Sequence, residues 1–176
     1  PWGPGRPGWH AECAAMALAT LGPGIDVHAG GADLAFPHHA YEAAQAEAAI
    51  GVRPFARAWL RAGTVRVAGE KMAKSTGNLV VVDQLLERWS PEVLRLLILD
   101  RPWADDWDFH AEGLDAASAR MDELWGRAAA PGSSPAAGEE VRRALLADLD
   151  VPQALAVGQG AGGRVLRELA GTLGLM

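Results

Sequence analysis

"IDVHAGGADLAFPHHAYEAAQAEAAI", residues 25–50, decides the fold class. Its first part is a short apolar run that ends in two glycines, which is typical of a buried strand leading into a loop. Its second part places Pro37 at the start of an alanine-rich stretch, and proline is favoured in the first turn of a helix. A strand, a glycine loop and a helix in this order predict an α/β protein with a parallel sheet.

The neighbouring sequence continues this alternation. On the N-terminal side, "WHAECAAMALATLG" (9–22) predicts a helix that ends at Gly22. On the C-terminal side, "FARAWLRAG" (55–63) predicts a third helix and "TVRV" (64–67) predicts a second strand. Two strands are too few for a sheet of this kind, and the chain does not begin with methionine. We therefore expect it to be a fragment of a longer protein.

The later part of the sequence predicts helices only. Asp83 is expected to cap a helix within residues 80–89, and Ser90 to cap a helix over residues 91–99. A long helix is predicted over residues 109–130. These elements predict a helical region that follows the α/β part.

The C-terminal end predicts a small helical bundle. "APGSSPAAGEE" (130–140) has the composition of a linker, and helices are predicted at residues 139–149 and 163–174. The predicted organisation is a nucleotide-binding part over 1–82, a helical stem over 83–130, and a linker with a short helical domain over 131–176.

Composition restricts the possible classes. The 176 residues carry a formal net charge of −6, which does not fit a general nucleic-acid binder, although a local patch can still bind RNA. A single cysteine excludes an internal disulfide and fits a reducing compartment. The sequence contains no apolar run of transmembrane length. We therefore expect a cytoplasmic protein that does not enter a membrane.

"GEKMAKSTGN" (69–78) contains the only two lysines of the chain, Lys71 and Lys74. Elsewhere the chain uses arginine in place of lysine. A chain that otherwise uses arginine keeps lysine where a compact ammonium is needed instead of a planar guanidinium. Two lysines on a glycine-flanked loop can neutralise the charge of a transferring triphosphate. A solvated basic loop is the alternative interpretation.

Cys13, His38 and Glu42 form the first candidate site. His38 and Glu42 are four residues apart and therefore share one face of a helix. A thiolate, an imidazole and a carboxylate are plausible zinc ligands, and Trp9 lies one helical turn before the cysteine. A cysteine that only packs as a small apolar residue and a His/Glu surface pair are the alternative. The spacing alone leaves both interpretations open.

"HAGGADL" (28–34) forms the second candidate site. Glycines after a strand let backbone amides approach a phosphate, and Asp33 can accept hydrogen bonds from ribose hydroxyls. An ordinary glycine-rich turn is the alternative. His10, His28 and His39 are either catalytic or structural.

Taken in order, these motifs resemble a known family. "KMAKS" (71–75) resembles the KMSKS signature of class I aminoacyl-tRNA synthetases, with Ala73 in place of serine. "PGWHAEC" (7–13), "HAGGADLAFPHH" (28–39) and Glu42 resemble the cysteinyl-tRNA synthetase family in order and spacing.

The resemblance covers residues 1 to about 125. It implies the C-terminal half of a class I synthetase Rossmann-like catalytic domain with a parallel sheet, followed by a small helical bundle. It also implies an enzyme that joins cysteine and ATP, with Mg²⁺, into cysteinyl-adenylate and then transfers the cysteinyl group to tRNA.

The resemblance also assigns roles to residues. Cys13, His38 and Glu42 match zinc ligands, with a fourth ligand from an upstream cysteine. Lys71 and Lys74 match the lysines that stabilise the triphosphate. Residues that match substrate- or nucleotide-binding positions are Trp9 near the substrate, Gly31, Ala32 and Asp33 at the adenylate, Val65 against adenine, and Lys74.

The sequence departs from the family pattern in three respects, of which Ala73 is one and the end at "LGLM" (173–176), near where synthetases continue, is another. No HIGH motif is present, since "PHHA" (37–40) is a different segment. The family places that motif, the first strands and one zinc cysteine further upstream. We therefore expect this chain to be inactive alone and to need the N-terminal half of the same catalytic domain as its partner.

The acceptor is the open question. A sister family, the cysteine:glucosaminyl-inositol ligases of mycothiol biosynthesis, attaches cysteine to an amino sugar. "PWGPGRPGWH" (1–10) and "DDWDF" (105–109) resemble that sister family, whereas Glu42 matches the tRNA synthetases. A non-catalytic paralogue that binds a partner is a third interpretation.

Overall fold

A computed structural model describes residues 3–5 and 8–176, and shows α/β structure followed by helices. The described chain divides into two compact units, Pro1–Thr64 and Val65–Met176. The predicted fold class is confirmed, while the predicted boundaries at residues 82 and 130 stay predictions. The elements in chain order are α1 (Trp9–Leu21), β1 (Ile25–Gly31), α2 (Ala40–Ile50), β2 (Ala56–Ala62), β3 (Val65–Val67), β4 (Glu70–Lys71), α3 (Val82–Leu86), α4 (Pro91–Leu99), β5 (Trp107–Asp108), α5 (Glu112–Ala129), α6 (Pro135–Leu146), α7 (Val151–Ala161) and α8 (Gly163–Leu173).

The first unit is built on a β–α–β arrangement. Strands β1 and β2 run parallel, with pairs from Ile25 and Ala56 to Gly31 and Ala62, and α2 connects them. Helices α1 and α2 pack against each other, and α1 ends at Gly22 as predicted. The buried apolar residues of this unit are Ala14, Ile25, Ala46, Phe55 and Ala56.

The predicted helix over residues 55–63 is wrong, because most of this segment forms β2. Its alanines, leucine and arginines favour a helix by propensity. The backbone of β1 needs hydrogen-bond partners, however, and β2 supplies them along its whole length. Trp59 packs its ring on His28, with centroids 4.8 Å apart, which fixes the strand by tertiary contact.

The "TVRV" strand is confirmed as β3, but it belongs to a different sheet from β1. Strand β3 pairs antiparallel with β4, where Arg66 lies opposite Lys71, and parallel with β5, where Val65 lies opposite Trp107. Ala68 and Gly69, which both have positive φ angles, form the turn between β3 and β4. Lys71 therefore lies on the second strand of a tight hairpin.

The predicted cap at Ser90 is confirmed and the one at Asp83 is wrong. The Ser90 hydroxyl oxygen accepts a hydrogen bond from the backbone N–H of Val93, 3.4 Å away, and α4 begins directly after it. Helix α3 instead begins at Val82, so Asp83 lies inside its first turn. A carboxylate there still interacts favourably with the helix dipole.

The predicted linker is too long. Helix α6 begins at Pro135, and the Ser134 hydroxyl caps it by accepting from the N–H of Ala137. Proline, glycine and serine are typical of a linker, although a proline directly after a serine cap is also a helix start. Helix α7 was not predicted, because its glycine-rich sequence has low propensity. Its Leu155 is fully buried, which shows that packing stabilises it.

The second unit has its own core, which α4, α5, α6, α7 and α8 form together. Its largest fully buried side chains are Leu96, Leu114, Met121, Leu155 and Leu166, with Leu175. Within the part of the chain that the structure describes, no helix has the length and apolar character needed to cross a membrane.

Candidate functional site

Glu42 lies at the centre of a cluster of imidazoles in the first unit. It is in the first turn of α2, and its side chain is only 1% exposed. The Nε2 atom of His28, on β1, lies 3.1 Å from Glu42 Oε2, and the Nε2 atom of His38 lies 4.0 Å from the same oxygen. A buried carboxylate requires such partners because its desolvation is costly.

His38 is fixed from the side of α1. Its Nδ1 atom shares a hydrogen bond with the Nδ1 atom of His10, 2.9 Å away. The Trp9 ring packs on the His38 ring, with centroids 4.0 Å apart, while 57% of Trp9 remains exposed. Cys13 is half-buried and lies three residues after His10, so both are on one face of α1. This face is the one that contacts His38.

His39 extends the cluster. Within the described chain, His28, His39 and Glu42 form a group of potential metal ligands, with one ligand atom of each lying within 4.8 Å of the others. The His39 Nδ1 atom is buried and has no hydrogen-bond partner among the described residues. Burial, and secondarily the nearby His28 ring, lowers the pKa of His39 below its ordinary value. A neutral imidazole is the form that can bind a metal ion.

The predicted ligand set and the observed cluster share Glu42. His38 lies beside the cluster, and Cys13 lies on the helical face that contacts His38. The set of Cys13, His38 and Glu42 stays a prediction. The imidazoles around the buried Glu42 carboxylate, like that carboxylate itself, are ligand types that zinc accepts, so the residues of the cluster fit that metal.

The predicted adenylate residues lie where β1 ends. Gly31 is the last residue of the strand, and Ala32–Leu34 form one 3₁₀ turn. A Cβ atom on residue 31 would lie only 2.4 Å from Asp33 Oδ1, so a larger residue at this position would require the Asp33 side chain to move. Ala32 and Asp33 are exposed.

The predicted phosphate loop lies in the second unit. Lys71 is on β4, Lys74 begins a 3₁₀ turn that ends at Thr76, and both lysines are exposed. Half-buried Val65 is on β3, and its carbonyl accepts from the N–H of Met72, 3.0 Å away. Sequence reasoning did not single out Asn78, whose side chain bonds three residues of this loop.

Comparison with known proteins identifies a family for most of the chain. Residues 1–119 match the family described as tRNA synthetases class I (C) catalytic domain. Over 163 residues the chain is 47% identical to the cysteine–tRNA ligase of Rhodospirillum rubrum, covering 89% of this chain and 35% of that protein.

A second kind of relative is equally similar. The chain is 46% identical over 159 residues to the L-cysteine:1D-myo-inositol 2-amino-2-deoxy-alpha-D-glucopyranoside ligase of Thermobispora bispora, covering 89% of this chain and 40% of that protein. It is 48% identical over 157 residues to the ligase of the same name from Streptomyces coelicolor, covering 88% of this chain and 38% of that protein. The chain thus spans well under half the length of these relatives.

A solved structure shares the fold. The leucyl-tRNA synthetase of Agrobacterium radiobacter K84, in a ternary complex with tRNA and LeuAMS, aligns with a TM-score of 0.62 at 16% identity. The alignment covers 84% of this chain and 23% of that one. The predicted class I synthetase fold is thereby confirmed. The chain belongs to the family of the class I (C) tRNA synthetase catalytic domain.

Proposed function

We propose that this chain is part of a cysteine-activating ligase, which forms cysteinyl-adenylate from cysteine and ATP and transfers the cysteinyl group to tRNA. The observation that carries the proposal is the buried Glu42 carboxylate among imidazoles, in a member of this family. The curated relatives support it, since both kinds are named for ligating cysteine.

The proposed zinc ligands are Cys13, His38 and Glu42, with a fourth ligand from the rest of the protein. When bound, zinc would hold a thiolate much more tightly than an alcohol and so distinguish cysteine from serine. His28 orients the Glu42 carboxylate through their 3.1 Å contact. Trp9 covers one face of the His38 ring and thereby limits its movement.

ATP, with Mg²⁺, is the proposed co-substrate. Gly31, Ala32 and Asp33 would hold the adenylate, with the Asp33 carboxylate accepting from the ribose hydroxyls, and Val65 would lie against adenine. The cysteine carboxylate attacks the α-phosphorus, and the bond to pyrophosphate breaks. Lys71 and Lys74 would stabilise the charge that develops on this leaving group, and Lys74 would also bind the nucleotide.

Transfer to glucosaminyl-inositol is the second candidate reaction. It is favoured by the "DDWDF" segment, residues 105–109, which contains β5. This strand pairs with β3 of the lysine hairpin, the hairpin of β3 and β4 that carries Lys71. Glu42 instead matches the tRNA synthetases, which is why tRNA stands first. In either reaction the acceptor attacks the cysteinyl carbonyl and AMP leaves. We infer that the intact protein includes the N-terminal half of the catalytic domain and works in the cytoplasm.

The proposed function is tested on the full-length parent protein. We expect bound zinc and cysteine-dependent exchange of pyrophosphate into ATP, with Cys13→Ala reducing the zinc content. Adding tRNA or glucosaminyl-inositol to the cysteinyl-adenylate then identifies the acceptor that becomes cysteinylated. A parent protein with neither zinc nor exchange would be a non-catalytic paralogue, and the proposal would be wrong.

A further inference from the structure

We propose that Asn78 is the positioning residue that fixes Lys71 and Lys74 relative to each other. This inference rests on the proposed function, because it gives a role to the same loop. Asn78 is the only asparagine among the 176 residues, and its side chain lies against the loop that carries both lysines.

The Asn78 amide joins both ends of the loop. Its Oδ1 atom accepts from the backbone N–H of Ala73, 2.9 Å away. Its Nδ2 atom donates to the backbone carbonyl of Lys71, 3.2 Å away. One side chain therefore binds the backbone of Lys71 and the backbone of Ala73, the residue immediately before Lys74.

The chemistry of these partners fixes the orientation of the amide. A backbone N–H can only donate and a backbone carbonyl can only accept, so the oxygen must face Ala73 and the nitrogen must face Lys71. Thr76 reinforces the arrangement, because its hydroxyl lies 2.6 Å from Asn78 Oδ1 and 2.8 Å from the Ala73 carbonyl. The hydroxyl has one hydrogen and donates to one of these acceptors at a time. Among the common amino acids, asparagine is the one with a short side chain that carries its hydrogen-bond donor and its acceptor on two separate atoms, as these two partners require.

The tip of the loop is open to solvent. Residues 74–77 are exposed, whereas Asn78 is half-buried on the inner side. Gly77 has a φ angle of +70°, which turns the chain back and brings Asn78 onto the loop. The backbone bonds from Thr76 N–H to the Ala73 carbonyl and from Gly77 N–H to the Lys74 carbonyl are both long, at 3.3 Å. Water competes with such exposed bonds, whereas the bond between Asn78 and Ala73 is shorter, at 2.9 Å, and part-buried, so it helps to hold the closed form.

Positioning of the lysines matters because charge stabilisation depends on geometry that exists before the reaction. A displacement of about 1 Å can cost about a hundredfold in rate. Lysines on a loose loop would still attract ATP by charge, but their ammonium groups would less often lie where they stabilise the transition state. We therefore expect Asn78 to act on kcat of adenylate formation and to leave the KM for cysteine unchanged.

The test compares Asn78→Ala, Asn78→Asp and the control Leu79→Ala in the full-length parent protein. Leu79 is an exposed neighbour outside these bonds. We expect Asn78→Ala to speed hydrogen exchange at the Ala73 amide and to lower kcat for pyrophosphate exchange about ten- to a hundredfold. Zinc content, the KM for cysteine and the thermal midpoint should match those of Leu79→Ala. Asn78→Asp keeps the accepted bonds, so it should restore protection at Ala73 and part of kcat.

Two outcomes would overturn the inference. One is an Asn78→Ala protein in which Ala73 protection and kcat equal those of Leu79→Ala. The other is a loss of kcat that only follows a lower thermal midpoint, because that would be general destabilisation. If the wild-type protein shows no pyrophosphate exchange, the proposed function fails. Hydrogen exchange at the Ala73 amide would then still show whether Asn78 closes the loop.

Discussion

The Nε2 atom of His28 lies 3.1 Å from the Oε2 atom of Glu42, and so joins β1 to the first turn of α2. The Glu42 side chain is buried, and its carboxylate needs a hydrogen-bond donor to offset the loss of water. His28, on the strand, is that donor for Glu42, on the helix. The bond therefore links the packing of the first unit to the orientation of a proposed metal ligand.

His28→Ala should destabilise the metal-free protein by about 1–3 kcal/mol, because it leaves a buried carboxylate without its nearest donor. The free energy of unfolding from urea denaturation is the measurement. His110→Ala is the control, since His110 is exposed and should change stability by no more than about 0.5 kcal/mol. Equal stabilities of the two variants would show that the contact contributes nothing.

Lys74→Arg should lower the rate of adenylate formation in the parent protein by about tenfold or more. The substitution keeps the positive charge, but replaces a compact ammonium with a larger planar group. Cysteine-dependent pyrophosphate exchange measures the rate, and metal analysis should show unchanged zinc. A variant with the wild-type rate would remove the reason for regarding this lysine as specific.

Asp108→Ala should loosen the lysine hairpin, because Asp108 Oδ1 accepts from the N–H of Gly69, 2.9 Å away. We expect a loss of about 1 kcal/mol and faster hydrogen exchange at the Gly69 amide. Asp106→Ala is the matched control in the same segment. It removes the Arg66–Asp106 ion pair, whose side chains are 40% and 44% exposed and which contributes little. Identical Gly69 exchange in both variants would contradict the prediction.

Ser90→Ala should cost about 1 kcal/mol at neutral pH through loss of the α4 cap. Ser90 also lowers the pKa of Glu92 through a side-chain hydrogen bond, and the backbone N–H of Glu92 adds to this effect. A carboxyl with a lowered pKa stabilises the fold above its unfolded-state pKa, and that contribution disappears as the pH falls through the folded-state pKa. The stability difference between wild type and Ser90→Ala should therefore shrink on acidification to about pH 3.

Ser134→Ala provides the comparison for this pH dependence. Ser134 caps α6 in the same way, but the first turn of α6 contains no acidic residue. Its stability difference from wild type should stay nearly constant over the same pH range. If both serine variants show the same pH dependence, Glu92 is not its source.

The parts of the fold that were predictable from sequence have local causes. Ser90 before a proline marks the start of α4, and the glycine that follows α1 marks its end, because caps and chain reversals depend on a few adjacent residues. Strand β2 was not predictable in this way. Its sequence favours a helix, and only the need of β1 for a parallel partner makes it a strand.

The candidate site shows the same division. Glu42 and His38 were identifiable because they lie four residues apart in the sequence, which is the spacing of one helical turn. The role of His28 was hidden, since its partner is fourteen residues away and on another element. Asn78 was visible in the quoted loop, but nothing in the sequence indicates that its amide turns back onto Lys71 and Ala73.

The small core of the first unit has a consequence for the lifetime of the protein. Among the described residues of this unit, three of the five buried apolar residues are Ala14, Ala46 and Ala56, and alanine contributes little burial free energy. This unit should therefore open locally more often than the leucine-rich second unit. Ligands that bind only the closed form shift this balance by mass action. If the proposed zinc and cysteine bind only the closed form, their removal should appear first as faster proteolysis within the first unit, before any loss of the helical bundle.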